Sequence, residues 1–353
     1  MNRNNLELFL FFLYNVIVKE WNMKKVFTLF ICCLLLTGCG KGTKAMDVNK
    51  KDDTPKEKVD IIDINSKTRP IAIMVNNTPV AVKVQNGVSD AYLVYEVPTE
   101  FYTSRLMALY KDAPNTKVGT IRSSRHNFID FAYESDAIYA SYGWSRFAKE
   151  DLTKNIIDYV QGIEGEANMW RENPENLAYE HTVYTMTDDI IKYARDVKGY
   201  KMESDNTILL NYNVGDVDLS SREGAKPANR VTIPYGAVST LFIYNEKTKE
   251  YLRIVNGDEA IDYFSKHSHT TKNIIVERID YSYMPGNYYW NLHTVGSGDG
   301  YFITNGYAVP IKWNKPDRKS KTKYTYLDGT EIEVSDGRTY IEVQITENTT
   351  TIE

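Results

Sequence analysis

The sequence predicts an α+β or α/β class: a mixed α/β N-terminal domain followed by a mostly antiparallel β C-terminal domain. Three observations predict it. Between residues 61 and 212, short apolar runs of strand length alternate with segments of helical spacing. From residue 232 the helical spacing fades, and strand-like runs are punctuated by Asn256-Gly257, Asn305-Gly306, Asp328-Gly329 and Asp336-Gly337. Between the two, residues 213–231 are polar and rich in Gly, Asp, Ser and Lys, which reads as a linker.

The elements follow in order. Residues 1–22 read as an upstream extension with a broken apolar patch. Residues 23–39 carry the parts of an export signal: Lys24 and Lys25, an apolar run, and Leu36-Thr37-Gly38-Cys39 in the form of a bacterial lipobox. That run is shorter than the roughly 20 residues needed to span a hydrocarbon core. Cys39 is therefore expected to become an acylated first residue, placing the protein on the extracytoplasmic face of the cell membrane. Residues 40–60 hold almost nothing apolar and read as a tether.

Strands are expected at 70–75, 91–97, 104–110, 119–121 and 137–142, with helices at 124–133, 147–160 and 188–197. Thr185 and Asp188 resemble a capping box for the last helix. Residues 232–346 should hold strands at 238–244, 250–255, 273–281, 288–295, 300–303 and 339–345. The glycines of Gly296-Ser297-Gly298-Asp299-Gly300 suggest a hairpin turn, and residues 347–353 a loose tail.

Composition excludes several function classes. The formal net charge of -5 lacks the basic footprint of a nucleic-acid binder. Of the three cysteines, Cys32 and Cys33 leave with the signal and Cys39 is consumed by lipid. The folded part then has no thiol, which excludes disulfides, cysteine nucleophiles and thiolate metal sites. The 27 tyrosines fit sheet surfaces better than a dedicated binding stripe.

The densest polar constellation is Gly119-Thr120-Ile121-Arg122-Ser123-Ser124-Arg125-His126, at a strand-to-helix transition. Arg122, Ser123 and Arg125 with free backbone N–H groups could cradle an anion, and Glu96, Glu100 and Arg105 could face the same strand ends. The alternative is structural: Ser123 or Ser124 caps the helix while the arginines pair with Asp90 and Glu96. No metal site is expected, since His267-x-His269 lacks a third ligand. No cofactor motif, nucleophile elbow or P-loop is present. Ser320-Lys321-Thr322-Lys323 fits S-x-x-K only as a chance match inside the charged run 315–321, a loop that could touch anionic polymer.

Several stretches together resemble the YerB-type lipoproteins of Gram-positive bacteria. They are residues 69–77, Val94-Tyr95-Glu96, residues 103–110 and 118–125, then residues 295–300 and Trp313 with its basic loop. Thr120 departs from the family pattern, where Pro is expected. The resemblance implies a two-domain membrane lipoprotein and brings no established activity and no catalytic residues. The reading that follows is a lipid-anchored binding protein for a wall polymer or an envelope protein. Its competitor is an envelope hydrolase or transferase acting on an anionic glycan or phosphorylated wall substrate.

Overall fold

The computed structural model describes residues 58–353, and the extension, the lipobox and Cys39 lie outside them. In chain order the strands are β1 (Ile71–Asn76), β2 (Leu93–Thr99), β3 (Thr103–Tyr110), β4 (Lys117–Gly119), β5 (Ile138–Ser141), β6 (Tyr159–Gln161), β7 (Met169–Arg171) and β8 (Val183–Met186). The second half adds β9 (Lys226–Pro227), β10 (Arg230–Pro234), β11 (Ser239–Asn245), β12 (Glu250–Val255), β13 (Asp258–Glu259), β14 (Thr270–Thr271) and β15 (Asn273–Ile279). It closes with β16 (Tyr281–Tyr283), β17 (Trp290–Leu292), β18 (Gly296–Thr304), β19 (Tyr307–Lys315), β20 (Lys323–Tyr326), β21 (Thr339–Ile345) and β22 (Thr351–Ile352). Three α-helices intervene: α1 (His126–Tyr133), α2 (Arg146–Thr153) and α3 (Thr187–Asp196).

An eleven-stranded sheet runs β20-β19-β18-β15-β21-β2-β3-β1-β5-β6, with β9 paired to β19. β21 is its seam, parallel to β15 on one side and to β2 on the other. Helices are confined to the first half and the second half is strands. The two halves do not keep separate sheets: the second-half strands β20, β19, β18, β15 and β21 continue, through the β21–β2 pair, into the first-half strands β2, β3, β1, β5 and β6. A six-stranded sheet of β10–β14 and β22 packs on one face of it, together with α3. Helices α1 and α2 cover the other face.

Period-two alternation sorts the two cores. Met74, Tyr95, Val97 and Met107 point towards α1, meeting Phe128 and Phe131. Ile73, Val94, Leu106 and Ala108 point the opposite way, towards Ile233, Phe242 and Tyr251 of the smaller sheet. Each fully buried aliphatic side chain contributes about 1.5–3 kcal/mol. With both faces covered, β1 and β2 are buried along their whole length, as their unbroken apolar runs imply.

Four local expectations need correction. The helix predicted to reach residue 160 ends at Thr153, because Lys154 and a left-handed Asn155 turn the chain into β6. Thr185 does not cap α3; its hydroxyl donates to the Asn168 carbonyl at 2.9 Å. Gly296–Gly300 is the start of β18 and not a hairpin turn. A Cβ on Gly300 would lie 1.9 Å from the Val276 carbonyl oxygen, and one on Gly298 2.5 Å from the Trp313 indole nitrogen. These glycines serve close approach, a signal that resembles a turn in sequence. Residues 347–353 are not loose either, since β22 pairs with β10.

Candidate functional site

The chain leaves β4 and runs along the end of β1 before entering α1. Backbone bonds fix this path: Arg122 N–H donates to the Met74 carbonyl at 3.0 Å, and Ser124 N–H to the Gly143 carbonyl at 2.9 Å. Arg125 is the N-cap residue of α1 in extended conformation. Neither serine caps the helix. Ser123 Oγ donates to the Tyr142 carbonyl at 3.1 Å, and Ser124 Oγ accepts from the Tyr139 hydroxyl at 2.9 Å.

This path brings Arg122, Ser123 and Arg125 beside Arg105, on the β3 edge of the β2–β3 turn. Arg105 and Arg125 share the carboxylate of Glu100, in that turn. Arg125 Nε donates to both Glu100 oxygens at 3.0 and 2.9 Å, and its Nη2 adds a third contact. Arg105 Nη2 stands 3.6 Å from the same carboxylate while its Nη1 donates to the Ser123 carbonyl. Among the described residues Arg122 hydrogen-bonds only a backbone carbonyl, that of Glu180 at 3.1 Å, with the Glu180 carboxylate acting on its charge. Arg125 and Arg105 thus meet Glu100 directly, while Arg122 stands nearby and feels the Glu180 carboxylate more than that of Glu100.

The electrostatics follow. Burial would raise the Glu100 carboxyl, but hydrogen bonding and charge from Arg125, with Arg105 behind, hold it below its usual range. Burial and the neighbouring Arg125 push the Arg105 guanidinium down to about 9. Burial, with Arg125 adding to it, lowers Arg122 too. His181 is depressed by burial and by Arg122, and its Nδ1 lies 2.8 Å from the Asn76 amide nitrogen. A surplus of positive charge with unused donors is an arrangement that attracts an anion.

Aromatic rings rim the cluster. Tyr289 lies 5.2 Å from the Arg125 guanidinium, and Tyr288 stacks on Phe101 at 5.0 Å. Arg171 lies 3.2 Å from the ring of the exposed Tyr179. Phe101 and Tyr102, both exposed, hold left-handed backbone angles at φ 64° and 54°.

Residues 59–201 match the family described as "Protein of unknown function (DUF3048) N-terminal domain", and residues 231–341 match its C-terminal domain. The chain belongs to this YerB-type family. It is 28% identical over 304 residues to a Bacillus subtilis (strain 168) protein named "Putative lipoprotein YerB", covering 83% of this chain and 88% of that one. The crystal structure of the Bacillus subtilis YerB protein superposes with a TM-score of 0.71 at 24% identity, over 82% of this chain and 94% of that chain. The eleven-stranded sheet is thus built across both family segments, and the arginine cluster sits in the first.

Glu96 is not part of the cluster. In β2 it stands opposite Leu106, whereas Arg105 stands opposite Val97, so the two side chains leave opposite faces of the sheet. Glu96 is fully buried between the sheets, accepting from Arg253 Nη2 at 2.7 Å, Ser104 Oγ at 2.6 Å and Asn77 Nδ2 at 2.9 Å. Asp90 is equally removed, accepting from Thr116 Oγ1 at 2.9 Å.

Other candidates resolve into structure. His269 is buried with its Nε2 2.8 Å from Asp262, while His267 is exposed. Ser89 also bonds Asp262, so the carboxylate sits between serine and histidine and the two do not form a nucleophile–base pair. Ser320 Oγ donates to Asp317 at 2.6 Å. Within the 315–321 run Lys315 is buried against Glu134 and Arg318 pairs with Asp130 and Asp151, while Pro316, Asp317 and Lys319 stay exposed. Among the described residues no cluster of His, Cys, Asp and Glu could hold a metal, and no helix is long and apolar enough to cross a membrane.

Proposed function

We propose that this protein is an envelope lipoprotein, anchored by acylated Cys39 at the outer face of the membrane, whose arginine cluster captures an anionic envelope ligand. One observation carries the reading: Arg105 and Arg125 meet the carboxylate of Glu100 while Arg122 stands beside them, hydrogen-bonded among the described residues only to a backbone carbonyl. The lipobox, together with the lipoprotein name carried by the Bacillus subtilis relative, supports the anchor. The exposed rings of Phe101, Tyr179 and Tyr288 beside the guanidiniums suit a ligand that joins phosphate or carboxylate to sugar rings.

The catalytic alternative needs an acid, base or nucleophile at the same place. Glu100 is held ionised by two guanidiniums, and the Ser123 hydroxyl is spent on a backbone carbonyl. Binding without turnover is the reading these two groups favour.

The test is Arg122→Ala, because among the described residues Arg122 hydrogen-bonds only a backbone carbonyl and its loss leaves no buried carboxylate unpaired. Capture of phosphate-bearing wall fragments should weaken by about tenfold or more, as for one charged hydrogen bond, with the melting temperature nearly unchanged. Equal capture by the variant sinks the reading. Cleaved fragments in the wild-type incubation, seen by mass spectrometry, would transfer the site to the enzyme reading.

A further inference from the structure

Beside Phe147, whose ring meets that of Tyr289 edge-on at 6.1 Å, lies a cavity of about 480 Å³, open to solvent, between α1, α2 and the chain from Asn291 to Val295. It is of a size that holds small ligands. His126, the first residue of α1, lines it and is only 8% exposed. Neither buried ring nitrogen makes a hydrogen bond of good geometry among the described residues, although the Asn291 side chain, also in the lining, approaches the ring. Leaving such a group unpaired costs about 1–3 kcal/mol, so a partner from outside the chain has a position waiting for it.

The charge of the walls selects that partner. Asp130, Glu150 and Asp151 line the cavity against one cation, Arg318. Asp130 is saturated, with Oδ1 on Arg318 and Oδ2 on Thr294, each at 2.6 Å. Asp151 gives only Oδ2 to Arg318, at 2.6 Å, and Glu150 meets only the exposed Arg146, at 3.2 Å. Two carboxylates thus keep acceptor capacity next to an imidazole that burial keeps neutral and able to accept. The Phe147 ring, 5.9 Å from the imidazole, adds an aromatic wall that suits a cation. These walls disfavour an anion, in contrast to the arginine cluster.

We propose that this cavity binds a primary ammonium carried on a small polar stem, held by the His126 imidazole and the Asp151 carboxylate. The site is distinct from the arginine cluster and stands or falls separately from it.

The experiment titrates the intact, detergent-solubilised chain with two matched pairs, glucosamine against N-acetylglucosamine and ethanolamine against N-acetylethanolamine. Calorimetry reads affinity, and NMR reads the His126 ring resonances. The amines should bind and shift those resonances, while the acetylated partners, having lost the cation, should bind at least about tenfold more weakly. Asp151→Asn should weaken the amines by a similar factor. Should that variant fail to fold, Glu150→Gln at an exposed position replaces it and should weaken them by a few-fold. Arg122→Ala should leave amine binding unchanged. Equal binding of amine and acetylated partner overturns the proposal, as does an amine titration that leaves His126 unmoved.

Discussion

A buried charge is set by what faces it, and Glu277 is the clearest single case. It lies on β15 at full burial, accepts from the Tyr324 hydroxyl at 2.7 Å and leaves its Oε1 without a partner among the described residues. Burial and the nearby Glu134 push its carboxyl up from 4.5 to about 8. The cation on this side, Lys315, is already committed to Glu134 at 2.6 Å. Between 4.5 and 8 the unfolded chain gives up this proton while the folded chain keeps it. Stability from this group is therefore full below 4.5 and is lost as pH rises to about 8, by on the order of 1 kcal/mol per pH unit. Glu277→Gln removes the proton and should stabilise the protein at pH 8 with little effect at pH 5. Urea unfolding of both proteins across that range checks it; a difference that does not vary with pH contradicts the assignment.

At the scale of elements, the β2–β3 turn shows how a strand pair can present a site. Phe101 has a φ of 64° and is 69% exposed, a conformation that costs an L-residue about 1–2 kcal/mol. The turn holds it by the Ala237 N–H bond to the Tyr102 carbonyl at 2.7 Å and by Glu100's hold on the arginines. Phe101→Gly relieves the strain but forfeits the Tyr288 stack, worth about 0.5–1.5 kcal/mol. Stability should change by less than about 1 kcal/mol while capture of wall fragments falls, measured by calorimetric melting and pull-down. Elements of this kind were only partly legible in the sequence. The apolar runs of β1, β2, β3, β11, β12, β15 and β21 announced themselves, since each is set by its own side chains. The Gly296–Gly300 strand did not, because its glycines answer to Val276 and Trp313 in other strands. The inward turn of Lys315 and Arg318 was equally hidden, their partners lying more than 160 residues away.

Over the whole molecule, the same limit separates what was readable from what was not. Arg122, Ser123, Arg125 and Arg105 could be grouped from neighbouring sequence, whereas the exclusion of Glu96 depended on a partner in β12. That partner crosses from the smaller sheet to the larger. Arg253 and Glu96 are both fully buried, and Glu342, pushed well up by burial and by Glu96, sits beside them with the Tyr235 hydroxyl donating to it at 2.7 Å. The guanidinium donates to Glu96 and reaches Glu342 only through space. Arg253→Met strands the Glu96 charge between the sheets and should cost about 3–5 kcal/mol. Adding Glu96→Gln removes that charge while its amide oxygen still accepts from Asn77, Ser104 and Thr240. The double variant should therefore recover at least half of the loss. Because β2 and β15 share the seam strand β21, all three proteins should unfold in one cooperative urea transition. A second transition appearing in Arg253→Met, or no recovery in the double variant, would mean that apolar packing and not this ion pair joins the layers.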